Sequence, residues 1–358
     1  MIRYIVRRLL ASIPVLLGIM GIVFVLARVI PGDPCRSALG ERATDEICAA
    51  FIARYGLDQP IPVQFVQYIA QVLTGDLGES IQRSRPVMDI LMERLPVTME
   101  LTLFALLIAS GGGILLGLIA AYRRNSPADV LVMIGANFGV SIPVFVLGLI
   151  LAYVFAVLLK DTPFALPPSG RLSPGLTVVP IAAAWGMPDL AGPPRALLDF
   201  LSNMYVVNGL LTLNGALLAD ALSHLLLPAL ALSTISLALI ARITRSSLLD
   251  VLGFDFVRTA RAKGVGERSV VLRHGLRNAL LPITTVVGLT LGGLLSGAVL
   301  TESIFNLAGV GRAVYEAITG RDYIVIQGFT LVIALVYIVV NLLVDISYAF
   351  LDPRVRLR

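Results

Sequence analysis

Six stretches of this chain run without a single Asp, Glu, Lys or Arg: 9–27, 101–122, 130–159, 221–241, 278–301 and 323–344. Each is about as long as the roughly 20 apolar residues that a helix needs to cross the hydrocarbon of a bilayer. With their flanking turns they predict six transmembrane helices at about 9–30, 97–122, 130–159, 221–243, 278–301 and 323–350. The first, preceded by Arg3, Arg7 and Arg8, is too long for a signal-peptide core and has no small-x-small cleavage site before Pro31, so it reads as an uncleaved helix. A seventh charge-free stretch, 200–219, is interrupted by Asn203, Asn208 and Asn214 and is expected to form a helix lying at the membrane interface or packed on the bundle.

Charge then sets the orientation. Arg3, Arg7 and Arg8 precede span one, Arg123 and Arg124 follow span two, basic residues crowd 242–277, and Arg354, Arg356 and Arg358 follow span six. The short loop 302–322 holds only Arg312 and Arg321. Basic residues concentrate in cytoplasmic loops, so both termini and the loop 242–277 are expected in the cytoplasm, with two long loops, 31–96 and 160–220, outside. Loop 31–96 has room for small helices of its own at Thr44–Tyr55 and Pro62–Leu73, and is expected either to dock a soluble partner or simply to cap the bundle. Prolines, among them Pro167, Pro168, Pro193 and Pro194, exclude a long regular helix from 161–194.

Composition agrees with this pattern: 57% of the 358 residues are hydrophobic and 14% charged, against roughly 25% charged in soluble domains. The mean hydropathy is +0.88. One all-α polytopic inner-membrane domain over 1–358 is the economical reading. The net charge of +5 is spread over the ends of apolar runs, which is not the clustered footprint of a nucleic-acid binder. His224 and His274 stand too far apart in sequence to suggest a metal site. Cys35 and Cys48 share loop 31–96, where a disulfide and a pair of free thiols are both open readings.

A transporter needs a coupling device. Ion-coupled carriers place Asp, Glu or His within their spans, and here the span centres hold none, so an ion-coupled secondary transporter is the alternative rather than the first choice. A membrane-embedded enzyme ranks last for the same reason, and no catalytic residue is assigned. No G-x-x-x-x-G-K-[ST] phosphate loop occurs. If ATP drives transport, another chain binds it, and that chain needs a handle.

Loop 242–277 supplies one. Asp255 is placed to cap a short helix through Phe256, Val257, Arg258, Thr259, Ala260, Arg261, Ala262 and Lys263, and Gly264 to end it in the left-handed conformation. A second helix starts at Glu267 and runs through His274 and Asn278 into span five. Phe256, Ala260 and Lys263 are expected to share one face, a small knob flanked by Arg258 and Arg261.

The stretch RTARAKGVGERSVVLRHGLRNALLP, from Arg258 to Pro282, is similar to the cytoplasmic coupling motif of the peptide and nickel importer permeases of the ATP-binding-cassette class, oligopeptide and dipeptide permease B type. Arg258, Thr259 and Ala260 fall on the Glu-Ala-Ala positions of the general importer motif and Gly264 on its glycine, with Arg258 departing from the acidic residue. RYIVRRLLASIP at 3–14, PGDP at 31–34, GLDQPIPVQF at 56–65, GDLGES at 75–80 and RLPVTMELT at 94–102 resemble the family in order. So do SIPVF at 141–145, LPPSGR at 166–171, HLLLPALAL at 224–232 and LDPRVR at 351–356. Ala308 stands where the family has proline, and 172–223 is longer than in most relatives. The resemblance implies an inner membrane of a bacterium or archaeon and import of peptides or related small solutes. It also implies a second permease subunit in a heterodimer, two ATPase subunits or domains carrying ATP-Mg, and an extracytoplasmic solute-binding protein.

Some residues within the spans carry two readings. Pro143 and Pro228 either break helices at a translocation path or are ordinary membrane-helix prolines. Gly288, Gly292 and Ser296, spaced by four, form a small-residue face for helix packing or for lining a pore. Asp345 is expected to pair with Arg354 or with a basic residue of 242–277, and 302–320, with Gly309 and Gly311, to dip back as an outer gate.

Overall fold

A computed structural model describes residues 2–29, 35, 36, 40 and 42–351. Its long elements are helices: α1 Ile2–Val29, α2 Asp45–Arg54, α3 Ile61–Leu73, α4 Val87–Tyr122, α5 Pro127–Ser141, α6 Val144–Tyr153, α7 Pro193–Ser202, α8 Tyr205–Leu211, α9 Gly215–Leu252, α10 Asp255–Ala262, α11 Arg277–Ile304, α12 Val310–Thr319 and α13 Tyr323–Leu351. Among the described residues, five helices are long and apolar enough to cross a membrane; α5 and α6, bent by 105° where they meet, make a sixth if taken as one span. The motif PGDP, the residues 352–358 that include Arg354, and the side chain of Ser296 lie outside the described residues.

Several helices outrun their charge-free stretches, because a charge at a helix end can find water or a partner and need not stop the helix. Two expectations change. Residues 200–219 do not form one helix: Asn208 ends up buried in α8, its side-chain amide donating to the carbonyls of Val179 and Ser202, while Asn214 caps α9 by accepting from the Leu217 amide. Span three is not one rod, since Pro143 removes an amide donor and biases Ile142 toward extended backbone (ψ 122°).

The chain divides into two compact units, residues 1–95 with 308–339, and 96–307 with 340–357. In the first, Met20 and Phe24 of α1, Tyr68 of α3, and Val87, Ile90 and Leu91 at the start of α4 share a core with Val310, Ala313 and Ala317 of α12 and Phe329 of α13. Phe24 is the aromatic centre, edge-on to Phe65 at 5.1 Å and stacked with Tyr68 at 5.9 Å. Asp322, 2% exposed, caps α13 through the Val325 amide while accepting from the Ser80 hydroxyl at 2.5 Å. Thr44 caps α2 in the same manner. Cys35 and Cys48 form a disulfide buried with Ala27, Phe51, Ile81 and Tyr323. The segment expected to dip back as a gate contains α12, whose inward face is Val310, Gly311, Ala313 and Ala317.

The second unit is organised on α9, the most enclosed of the long helices. It packs against α5, α6, α8 and α11. Helix α4 approaches it through glycine: a β-carbon at Gly113 would stand 2.9 Å from the Leu237 carbonyl, and one at Gly117 2.5 Å from that of Ala241. At this range van der Waals packing, not a hydrophobic driving force, holds membrane helices together.

Candidate functional site

The predicted handle is an elbow between α9 and α11. Gly253 ends α9, Phe254 adopts extended backbone (ψ 153°), and α10 starts at Asp255. Asp255 is thus the first helical residue and not the cap; its carboxylate sits in the first turn, where the helix dipole favours it. The far end is a Schellman turn: Val265 donates its amide to the Ala260 carbonyl (3.2 Å), Gly264 donates to Arg261 (2.9 Å), and Gly264 takes φ +76°.

The elbow is braced twice. Arg261 donates to both oxygens of Glu267, Nε to Oε2 at 3.0 Å and Nη2 to Oε1 at 2.7 Å, and this hydrogen bonding raises the arginine pKa above its ordinary value. Below the bridge, Val257, Ala260 and Val270 bury together with Leu252 and Val265. Burial of Ala260 corrects the expected knob. The i, i+3, i+4 spacing of Phe256, Ala260 and Lys263 names a stripe but not which side of α10 is covered, and the covered side is that of Val257 and Ala260. The projecting groups are instead Phe254 and Phe256, with ring centroids 6.0 Å apart, together with Arg258, Thr259 and Lys263.

From Glu267 the chain continues through a wider π-type stretch, Val270–Leu276, into α11. Gly275 lies against Leu248 and Leu252 of α9 with no room for a β-carbon, and His274 accepts from the Asn278 side chain through its carbonyl. Val271, Ala279 and Ile283 share a core with Leu248, Val251 and Ala121. The elbow is therefore mounted on both long helices rather than hanging as a loop.

Of the residues proposed for a path, Pro143 stands at the α5/α6 break as the cap of α6, and Pro228 lies buried inside α9. Gly288 packs on Val344, whose Cγ1 would be 2.5 Å from an added β-carbon. Gly292 and the backbone of Ser296 lie in α11, and nothing described brings these residues and the elbow into one site.

Three buried links were not read from the sequence. Arg245 near the end of α9 grips Asp129 of α5. Glu302 of α11 accepts from the Thr98 hydroxyl at 2.6 Å. Arg171, in the proline-rich segment, pairs with Glu100 of α4 at 3.0 Å, donates to the Asn203 carbonyl, and lies 3.6 Å over the Tyr205 ring. Glu100 also accepts from the Val206 amide at 2.7 Å, so one carboxylate holds that segment and the start of α8. The only sequence signal was that each acid stands at the edge of an apolar run.

Residues 113–357, the elbow included, match the family described as binding-protein-dependent transport system inner membrane component, and residues 1–102 match its N-terminal membrane component. The chain belongs to this family. It is thus a multi-pass inner-membrane protein and a transport component, not a catalytic subunit. Among its relatives are a dipeptide transport system permease of Alkalihalophilus pseudofirmus, 40% identical over 99% of this chain and 100% of the relative, and a di/tripeptide permease of Pseudomonas aeruginosa, 42% identical over 99% of each. A glutathione transport system permease of Salmonella paratyphi A is 37% identical over 99% of each. The long 172–223 segment lies within these full-length matches.

Proposed function

We propose that this chain is the membrane-spanning subunit of an ATP-binding-cassette importer that carries di- or oligopeptides, or closely related solutes, into the cytoplasm. The names of the full-length relatives support the cargo class. The elbow carries the mechanism: an aromatic pair, Phe254 and Phe256, projects beside basic residues from a short helix bolted to both α9 and α11. Such a projection fits a groove on a soluble ATPase.

In this reading a second permease completes the pore, most simply as a heterodimer, and two ATPase subunits with ATP-Mg bind at the elbows. A soluble binding protein delivers peptide to the opposite face, where loops 31–96 and 160–220 would lie. Closure of the ATPases on ATP draws the elbows together. Because Gly275 and Val271 sit against the end of α9, that motion reaches α9 and α11 at once, giving alternating access imposed from outside the bilayer. The seat of energy is then the partner, and the elbow only transmits.

The test is capture and uptake. Purified with its ATPase subunits, the wild-type chain should retain them, and Phe254→Ala/Phe256→Ala should lose most of the ATPase and of ATP-driven peptide uptake while still inserting normally. Proteoliposomes holding this chain without any ATPase that accumulate peptide on a proton or sodium gradient would overturn the reading.

A further inference from the structure

At one end of the second unit, the last turn of α4 and the segment following the elbow enclose an open cavity of about 410 Å³. Leu118, Ile119 and Tyr122 line it from α4, Val271 and Leu272 line it from the segment after the elbow, and the exposed side chains of Arg123 and Arg268 complete the lining. These two arginines are 145 positions apart in sequence (268 − 123), yet they reach the same cavity. Neither has a carboxylate partner among the described residues; the nearest acid in sequence to Arg268, Glu267, is committed to Arg261. The walls belong to the ends of two candidate membrane spans, Val87–Tyr122 and Glu267–Leu295. The cavity thus sits where two candidate membrane spans end.

We infer that this groove holds an anionic phospholipid, its phosphate between Arg123 and Arg268 and the upper part of an acyl chain along Leu118, Ile119, Val271 and Leu272. A lipid joins a negatively charged headgroup to hydrocarbon, and the groove brings two arginines together with apolar walls. An acidic helix of a neighbouring subunit would satisfy the arginines but would bring polar backbone to an apolar trough. The seat lies beside the elbow, so the lipid would buttress Val271 and Leu272 where the chain turns into α11. This goes beyond the importer reading and does not depend on it, since lipid retention is read by mass whatever the complex transports.

The chain, with the subunits that accompany it, is placed in nanodiscs of zwitterionic phosphatidylethanolamine and anionic phosphatidylglycerol and released for native mass spectrometry. Each arginine is worth about fivefold toward an anionic headgroup, so retained phosphatidylglycerol should be enriched about 25-fold over its share of the bilayer. Arg123→Gln/Arg268→Gln should remove the enrichment, Arg123→Lys/Arg268→Lys should keep most of it, and Leu272→Trp should displace the lipid with both arginines intact. Arg7→Gln, a basic residue near the start of α1, should leave it unchanged. Equal loss in Arg7→Gln and in the double variant, or no enrichment in the wild type, overturns the inference. A photoreactive residue at position 272 should label lipid; labelling of another protein chain instead also overturns it.

Discussion

Arg245 near the end of α9 closes on Asp129 of α5 with two parallel hydrogen bonds, Nε to Oδ1 at 2.6 Å and Nη2 to Oδ2 at 2.7 Å. The same carboxylate accepts from the Asn125 amide in the turn after α4, so one acid ties three elements. Asp129→Ala leaves the guanidinium without its partner and the turn without its acceptor, an expected loss of about 1–3 kcal/mol. In detergent this should appear as a melting temperature several degrees lower. Arg245→Met/Asp129→Leu, which removes both charges, should recover most of the loss.

Gly264 holds φ +76° with open space around its Cα, so the cost of replacing it comes from backbone conformation and not from collision. Gly264→Val should cost about 1–2 kcal/mol locally and unwind the Schellman turn. The expected outcome is loss of ATPase co-purification and of coupled uptake with normal membrane insertion. Gly264→Asn, which tolerates the left-handed region, should keep most of both. Gly266, at φ −59°, should accept Ala with little effect.

Glu100 is 8% exposed and its partner side chain Arg171 17% exposed. Arg171→Ala strands a buried carboxylate, expected to cost about 3 kcal/mol or more. Because Glu100 also holds the Val206 amide, the effect should appear first as protease cleavage between 160 and 214, while the spans stay protected. Glu100→Gln should show a milder version, since the amide can still accept from Val206.

The disulfide leaves the chain with no free thiol. Maleimide should therefore fail to label the protein until a reductant is added, and then label two sites. Closing a loop of 13 residues is worth about 3 kcal/mol on the chain-entropy account. Cys35→Ser/Cys48→Ser should loosen α2 around Phe51, read as faster amide exchange there than in α9.

Gly288 faces Val344 at a distance that admits no β-carbon, whereas Gly293, in the same helix, meets nothing within 4 Å. Gly288→Ala should lower the melting temperature and Gly293→Ala should leave it almost unchanged. Val344→Ala should rescue Gly288→Ala, as expected for packing rather than for a residue that lines a path.

Much of this was legible in the sequence because it rests on local rules. Uninterrupted apolar runs mark the long helices, Thr44 marks the start of α2, and Gly264 followed closely by an acid at Glu267 marks a turn between helices. What failed was everything that depends on which side of an element is covered or on partners far away in sequence. Phe256, Ala260 and Lys263 fit one helical stripe, but only the packing of Val257 and Ala260 on Val270 tells the inward side from the outward. Glu100 and Arg171 are 71 positions apart, and Asp129 and Arg245 are 116 apart. Charge counting made Glu100 and Asp129 borders of spans, when they are the clasps that hold the borders. Pro143 announced a break, but proline says nothing about a turn as sharp as 105°.

That turn leaves a debt of dangling amides. The carbonyls that close α5 and the amide hydrogens that open α6 have no next turn to bond with, and hydrocarbon offers them nothing. On one side Gly139 nestles against Thr234 and Gly148 against Phe305. Whatever faces the other side must be wet or proteinaceous, so lipid tails are unwelcome at this corner of the molecule.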